Sequence, residues 1–177
     1  MIALGSLAWQ AFDPDLTAPP VAAALQTWAA EVAVAPIDPD LADTAAFCDR
    51  YGVALDDSAN CVVIAGRRGS ETSYAACVVL ATTRADVNGV VRRRLGARKA
   101  SFAPMDDAVR LTGMEYGGIT PIGLPADWPV LIDAAVLKRD VVVIGSGRRA
   151  SKIALPADAL ATLPTAEVIE GLASVVQ

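Results

Sequence analysis

The stretch Met114-Glu-Tyr-Gly-Gly-Ile-Thr-Pro-Ile-Gly-Leu-Pro125 lies between a helical pattern and an apolar, strand-like run. Gly117 and Gly118 allow positive φ and a close approach of the backbone to a ligand, while Pro121 and Pro125 restrict the exit of the loop. Such a loop can point free N–H groups at a carbonyl or a ribose. A surface turn without a ligand fits the same pattern, so the neighbouring segments have to distinguish the two readings.

The segments around this loop alternate between strand and helix patterns. The predicted strands are residues 32–37, at a sheet edge, and 61–65, 74–80, 99–102, 129–133, 140–145 and 153–155. The second and third of these predict a hairpin across a long polar turn, residues 66–73. The predicted helices are residues 20–28, 40–51, 87–95, 105–112, 156–163 and 167–176. Gly52, Gly96 and Gly113 each follow a predicted helix, where a glycine commonly ends one.

This order of elements predicts a single α/β (α+β) domain with a curved, barrel-like mixed β-sheet flanked by helices. Residues 1–30 are expected to form an N-terminal arm with a short helix, which docks Trp9 and Phe12 on the body. Residues 31–177 are expected to form the body itself. A polar turn at residues 146–152 should lead into the last predicted strand.

Composition excludes several classes of site. The chain has 177 residues and no histidine, which removes Ser/His and Cys/His nucleophile pairs and most zinc hydrolase sites. Its three cysteines, Cys48, Cys61 and Cys77, lack CxxC spacing and do not suggest a disulfide framework or a metal site. Charges or prolines interrupt every apolar run before about 18 residues, so no membrane span is predicted. We expect a cytoplasmic protein, since the first residues do not resemble a signal peptide.

One segment is basic although the chain carries a formal net charge of −5. Residues 84–99 hold six of the fifteen basic residues and a single acid, Asp86. Such a patch on an acidic protein suits a polyanion-binding edge. A solvated, arginine-rich helix face is an equally good interpretation of the charge pattern alone.

Three motifs in sequence order suggest a family: the run Asn60-Cys-Val-Val-Ile64, the segment Leu95-Gly-Ala-Arg-Lys-Ala-Ser-Phe102 and the glycine–proline loop followed by Ser146-Gly-Arg-Arg149. Over roughly residues 35–170 the chain resembles the YbaK family of aminoacyl-tRNA deacylases, relatives of the editing domain inserted in bacterial prolyl-tRNA synthetases. The resemblance implies that residues 31–177 form an aminoacyl-tRNA synthetase-associated editing domain. It also implies hydrolysis of a mischarged aminoacyl-tRNA, in the manner of Cys-tRNA(Pro) deacylases, without a metal or organic cofactor. The expected partners are the tRNA acceptor end and an aminoacyl-tRNA synthetase.

The resemblance also implies roles for individual residues. Backbone amides in the loop would orient the ester carbonyl, so that one water and the neighbouring ribose hydroxyl suffice for hydrolysis. The predicted catalytic residues are Asn60, Gly117, Gly118, Thr120 and Lys152. The predicted substrate-binding residues are Ile119, Pro121, Ser146, Gly147 and Arg149. The predicted tRNA-binding residues are Arg92, Arg93, Arg94, Arg98 and Lys99.

Asn60 departs from the family pattern. Many relatives carry a lysine at this point, whereas asparagine donates two hydrogen bonds and carries no charge. Catalysis with a neutral donor, reduced activity, or replacement by another cation are the alternatives, and Lys152 is the cation that we name. A module that binds the aminoacyl-tRNA end or a small molecule without hydrolysing it also fits. A Cys61 nucleophile and a dinucleotide site at Gly145-Ser-Gly147 fit less well, since the first lacks a histidine partner and the second a third glycine.

Overall fold

The computed structural model describes residues 2–176, in which three β-sheets pack against short helices. The strands are β1 (Gln10–Ala11), β2 (Ala33–Pro36), β3 (Ala59–Arg68), β4 (Glu71–Leu80), β5 (Thr83–Ala85), β6 (Lys99–Phe102), β7 (Val130–Asp133), β8 (Val141–Gly145), β9 (Ser151–Pro156), β10 (Ala166–Ile169) and β11 (Ala173–Val175). The α-helices are α1 (Pro19–Leu25), α2 (Thr44–Tyr51), α3 (Arg92–Arg94) and α4 (Met105–Thr112). A π-helical turn, Val87–Val91, leads directly into α3.

The largest sheet is mixed and has the strand order β10-β7-β4-β3-β6. Its β10–β7 and β7–β4 pairs are parallel, and its remaining pairs are antiparallel. The second sheet, β1-β2-β9-β8, is antiparallel, and β11 pairs with β5 in a third. The prediction of a single α/β domain on a mixed sheet is confirmed. Within residues 2–176 the strands are divided among separate sheets, and none of these closes into a barrel.

The main core collects alternate residues from both larger sheets. Val78 and Leu80 of β4, Ile144 of β8 and Ile153 of β9 all face it, together with Val21 of α1. The other face of the five-stranded sheet buries Cys77 and Leu131 against the helical segment at residues 87–95 and against Leu172. Because this sheet is covered on both faces, its central strands are continuous apolar runs.

Glycines end two of the helices as predicted. Gly52 after α2 and Gly113 after α4 both have φ of 68°, and each donates its N–H to a carbonyl in the last turn. This left-handed conformation carries little cost for a glycine. The arm also docks as expected, since Trp9 and Phe12 pack against separate parts of the core.

Several predicted elements are wrong. Residues 167–176 form β10 and β11 rather than a helix, because β10 pairs with β7, and Gly171, with φ of 72°, turns the chain between the two strands. Residues 156–163 form a 3-10 helix, Ala157–Thr162, instead of an α-helix. The β3–β4 hairpin has a two-residue turn at Gly69 and Ser70, since the polar residues around it are extended and paired.

Two boundaries near the predicted site also differ. The segment at residues 32–37 is not an edge strand, since β2 pairs with β1 on one side and β9 on the other. The turn after β8 ends at Ala150, so Lys152 lies inside β9, opposite Gly145 of β8. This placement fixes the direction of the lysine side chain by strand geometry rather than by a loop.

Candidate active site

Four of the predicted site residues, Asn60, Gly117, Ile119 and Lys152, line one cavity of about 280 Å³. Its walls come from both larger sheets, from the start of α2, from α4 and from the glycine loop. The remaining lining residues are Ala42, Asp43, Thr44, Ala59, Cys61, Val62, Val63, Phe102, Ala103, Ala108, Tyr116 and Gly145. The sheets approach each other beside this cavity, where Ser58 bridges to Val143.

The glycine loop is held in place by the turn that follows β8. The N–H of Gly147 donates to the carbonyl of Gly118 (2.7 Å), and the N–H of Glu115 donates to the carbonyl of Gly147 (2.9 Å). Arg149 adds side-chain hydrogen bonds to the carbonyl of Tyr116 (3.3 Å) and to that of Pro39 (3.0 Å). The glycine loop and the turn at residues 146–150 therefore form one hydrogen-bonded unit, in which the turn holds the loop in position.

Gly117 and Gly118 have different roles in this unit. Gly117 has φ of 88°, and its N–H, like that of Ile119, finds no acceptor among the described residues. Gly118 does not have positive φ, and its N–H already donates to the carbonyl of Glu115 at 3.0 Å. A Cβ at Gly118 would lie 2.6 Å from the carbonyl carbon and oxygen of Arg148. Gly118 thus permits close backbone packing, whereas Gly117 and Ile119 line the cavity and have N–H groups without an acceptor in the described chain.

Lys152 places an ammonium group in the cavity wall. The residue is only 8% exposed, and its Nζ donates to the carbonyl of Ala42 (3.1 Å) and lies 5.1 Å from the ring centroid of Phe47. No carboxylate in residues 2–176 forms an ion pair with it. Burial lowers the pKa of Lys152 to about 8, although Cys48 and Asp43 act in the opposite direction. A buried ammonium without a counter-ion can donate a hydrogen bond to an electron-rich group in the cavity.

Asn60 lies in the same cavity, and α2 fixes its orientation. The hydroxyl of Thr44, the first residue of α2, donates to Oδ1 of Asn60 at 2.5 Å. With its oxygen engaged, the amide nitrogen of Asn60 retains its two donors. Asn60, where the resemblance implies a lysine, and Lys152, the predicted substitute cation, therefore lie in one cavity, although they come from different sheets.

The other predicted site residues lie outside this cavity lining. Ser146 is buried and its hydroxyl is paired with that of Ser151 (2.6 Å), while Gly147 and Arg149 support the loop as described. Pro121 lines a separate, apolar cavity of about 280 Å³ beside Trp28. Thr120 is fully buried, and its hydroxyl has no hydrogen-bond partner in the described chain. Their predicted contacts with substrate stay predictions.

The cysteines are wall and core residues. Cys61 lines the cavity, but burial raises the pKa of its thiol far above the ordinary value. Burial likewise raises the pKa of Cys48 and, to about 12, that of Cys77. A protonated thiol is a poor nucleophile, so the geometry does not favour covalent chemistry at Cys61.

Among the lining residues that sequence reasoning missed, three are exposed: Asp43, Phe102 and Tyr116. Asp43 precedes α2 and is exposed, yet its carboxylate does not cap the helix. Phe102 and Tyr116 line the cavity and are 64% and 54% exposed. Both aromatic residues lie in the motifs that suggested the family, and membership of these motifs was the available signal.

In the structure, two basic residues from outside the predicted window lie next to it. Arg67 of β3 lies opposite Lys99 of β6, and the N–H of Arg98 donates to the carbonyl of Arg67 (2.9 Å). Arg68 extends the patch, with Nη1 bonded to the carbonyl of Gly96 (3.1 Å). We call Arg67, Arg68, Arg93, Arg98 and Lys99 the basic patch.

The other two predicted tRNA-binding residues are engaged within the chain. Arg94 forms an ion pair with Glu167, and Nε of Arg92 donates to the carbonyl of Asn88 (2.7 Å). Within the described residues, the side chains of Arg93, Arg98 and Lys99 have neither a hydrogen bond nor an ion pair. Together with Arg84, which is exposed and has no such contact either, these three are therefore the free charges of the window.

Residues 2–176 contain no group of three or more histidine, cysteine or acidic side chains placed to hold a metal ion. No helix in the same part of the chain has the length and apolar character needed to cross a membrane.

The fold and the cavity define a class: α/β proteins in which a glycine loop, supported by a turn, closes a cavity beside a mixed sheet. Within that class, the family model of the aminoacyl-tRNA editing domain matches residues 38–163, so the chain belongs to that family. This membership assigns the chain to aminoacyl-tRNA editing. The resemblance that the motifs predicted is confirmed at family level, while the YbaK subfamily stays a prediction.

Solved structures agree on the fold. A candidate trans-editing enzyme for prolyl-tRNA synthetase superimposes with a TM-score of 0.71 at 21% identity, covering 85% of this chain and 93% of that one. A scaffold protein used in computational epitope grafting gives a TM-score of 0.73 at 21% identity, covering 86% and 95%. A hypothetical protein gives 0.66 at 21% identity, covering 78% and 86%. At these identities the likeness shows the fold alone.

Proposed function

We propose that this protein is a cytoplasmic aminoacyl-tRNA deacylase that hydrolyses mischarged aminoacyl-tRNA in trans, as Cys-tRNA(Pro) deacylases do. One observation carries the proposal: a single cavity joins Asn60, the free N–H groups of the glycine loop and the ammonium of Lys152. These are hydrogen-bond donors around one small volume. Such a set suits a group that gains negative charge during reaction, as the carbonyl oxygen of an ester does.

The reaction needs little from the protein beyond orientation. The oxygen of a water adds to the acyl carbon, the bond between that carbon and the ribose oxygen breaks, and one proton of the water passes to the ribose oxygen. The products are a free amino acid and a tRNA with both terminal hydroxyls. Lys152 and the N–H groups of Gly117 and Ile119 would hold the carbonyl oxygen, and Asn60 would orient the ribose through its amide donors.

Asp43 completes the electrostatics of the cavity. An aminoacyl ester carries a positive α-ammonium group beside its carbonyl. Asp43 offers an exposed carboxylate in the same wall, with no ion pair among the described residues. Opposite charges at Asp43 and Lys152 would therefore bind the two ends of the aminoacyl group in one orientation.

The basic patch supplies a site for the tRNA itself. Lys99 and Phe102 are the two ends of β6, about 10 Å apart at the rise of an extended strand. Cations thus lie one short strand away from the cavity, on the edge of the five-stranded sheet. If phosphates of the acceptor stem bind there, the aminoacylated end of the tRNA would be directed toward the cavity. An aminoacyl-tRNA synthetase that releases mischarged tRNA would be the corresponding partner.

A binding module without turnover is the second candidate function. The observation that favours it is the neutral Asn60 where many relatives carry a lysine. This candidate shares the cavity and the tRNA surface with the first. The two differ only in whether the ester is cleaved.

A charge-relocation experiment tests the proposal. Wild type, Lys152→Met, and the double variant Asn60→Lys/Lys152→Met are assayed against a panel of mischarged tRNAs. Loss of the ammonium should lower the rate on the order of a hundredfold, and a lysine returned at position 60 should restore part of it. Lys138→Met, at an exposed lysine, is the matched control.

Each outcome has a definite meaning. A wild type that binds but never cleaves any member of the panel establishes the binding module instead. Cleavage that is unaffected by Lys152→Met would remove the ammonium from the mechanism.

A further inference from the structure

Exposed aromatic rings are concentrated at one place on this protein. Of its nine aromatic residues, all of which lie within residues 2–176, Phe102 and Tyr116 are the only two with exposed side chains, at 64% and 54%. Both line the cavity that contains Lys152. The other seven are buried or partly buried, as in the stacked pair of Tyr74 and Trp128. Two exposed rings beside a cavity are more specific than apolar residues scattered over a surface.

The two rings are positioned by rigid backbone. Phe102 is the last residue of β6 and lies opposite Ile64 of β3. The carbonyl of Tyr116 accepts a hydrogen bond from Arg149 (3.3 Å), which holds the loop on which the ring is carried. Neither ring stacks with another aromatic side chain in the described chain. The exposed surface of these rings is available to a flat ligand.

The surroundings indicate what that ligand is. A cavity of about 280 Å³ lies at the lower end of the range for small-molecule sites, so an aminoacyl group fills it and the attached nucleotide extends beyond it. The basic patch lies at the other end of β6 and would bind the phosphates that follow. A nucleobase is the flat group between these two positions, and bases stack well on phenylalanine and tyrosine.

We propose that Phe102 and Tyr116 form a stacking platform for the base of the terminal nucleotide of the acceptor strand. The inference rests on the proposed function, since it takes the aminoacyl group to lie in the cavity. It adds a separate claim, which is that the protein binds the terminal base by stacking on two exposed rings.

The test is a binding cycle with two RNA hairpins that carry no amino acid, one ending in adenosine and one in an abasic nucleotide. Affinities are measured by fluorescence anisotropy at one salt concentration, for wild type and for Phe102→Ala/Tyr116→Ala. Contacts to phosphate cancel between the two hairpins, so the ratio of affinities isolates the base. We expect wild type to prefer the adenosine end by at least about fivefold, and the double variant to show a ratio of about one.

The controls separate stacking from other effects. Leu55→Ala removes another exposed apolar side chain, 44% exposed and outside the cavity, and should keep the wild-type ratio. Phe102→Tyr/Tyr116→Phe keeps both rings and should keep it too. If the double alanine variant does not fold, each single alanine variant must still reduce the ratio.

Two results would overturn the platform: a wild type that does not distinguish the hairpins, or a folded alanine variant with the wild-type ratio. No deacylation is measured in this cycle. A ring-dependent ratio without hydrolysis of any mischarged tRNA would therefore refute the proposed function and leave the platform standing. Hydrolysis without a ring-dependent ratio would do the reverse.

Discussion

Replacement of Lys152 by methionine should stabilise the protein at neutral pH, although it removes the proposed catalytic cation. Burial lowers the pKa of this lysine from 10.5 to about 8 in the folded protein. Below about pH 8 the folded state therefore holds a poorly solvated ammonium that the unfolded chain would hydrate freely. This penalty is fully present below the folded-state pKa and disappears as pH rises toward the unfolded-state value.

The difference between the two pKa values corresponds to roughly 3 kcal/mol of lost stability at pH 7. The methionine variant also loses the hydrogen bond to the carbonyl of Ala42, which costs roughly 1 kcal/mol. A net gain of roughly 2 kcal/mol at pH 7 is expected from these two effects. Asp43, Cys48 and Arg149 also act on the lysine, and all three are unchanged in the variant.

The pH dependence is the sharper measurement. Between pH 7 and about pH 9.5, the free energy of unfolding of wild type should rise by roughly 2 kcal/mol relative to Lys152→Met. Urea unfolding followed by tryptophan fluorescence at both pH values gives this difference, and Lys138→Met should show none. If the difference in the free energy of unfolding between wild type and Lys152→Met is the same at both pH values, the pKa of Lys152 is not lowered in the folded protein. The lysine would then not be a poorly solvated ammonium in the cavity wall.

Four further predictions concern the rest of the site. Arg98→Gln with Lys99→Gln should weaken tRNA binding and reduce the salt slope by about one per residue, without changing turnover of a minimal aminoacylated fragment; equal losses on both substrates would contradict this. Gly118→Ala should lower the free energy of unfolding by roughly 1–3 kcal/mol, because its Cβ meets the backbone of Arg148, and a wild-type melting temperature would show that the loop is not packed in this way. Asp43→Asn should slow deacylation of an aminoacyl-tRNA with a free α-amino group but not of its N-acetylated form, and an equal effect on both would show that the carboxylate does not bind the α-ammonium group. Activity should survive EDTA, and loss that zinc restores would disprove metal-independent hydrolysis.

The parts of the fold that the sequence predicted are those with strong local signals. Gly52 and Gly113 end helices because left-handed backbone favours glycine there, and the apolar runs before the loop and after it are strands because the sheet is covered on both faces. The C-terminal segment was mispredicted because its pairing is non-local. Residues 166–169 are extended only through β7, more than thirty residues earlier in the chain. Gly171 and the β-branched residues around it were the local evidence against a helix.

The site was predictable only in part, for a different reason. The glycine loop and Lys152 were named from motifs, and the structure places both at the cavity. The distinction between Gly117 and Gly118 depends on which N–H groups are already bonded, and sequence does not contain that information. Asp43 carried no motif at all, because its place in the wall depends on how α2 packs against β8 and β9 and contacts Asn60 of β3.

The start of α2 shows how a cation could move from one strand to another without a change of fold. Three consecutive residues each act on a different part of the cavity: the carbonyl of Ala42 binds Nζ of Lys152, the carboxylate of Asp43 lines the wall, and the hydroxyl of Thr44 orients Asn60. A lysine on β3 and a lysine on β9 would both reach this tripeptide, because the two sheets meet beside it. The proposed hydrolysis requires an ammonium within reach of the bound carbonyl, and not a particular strand to carry it. A neutral Asn60 is therefore compatible with the proposed hydrolysis as long as the carbonyl of Ala42 holds the ammonium of Lys152 in the cavity.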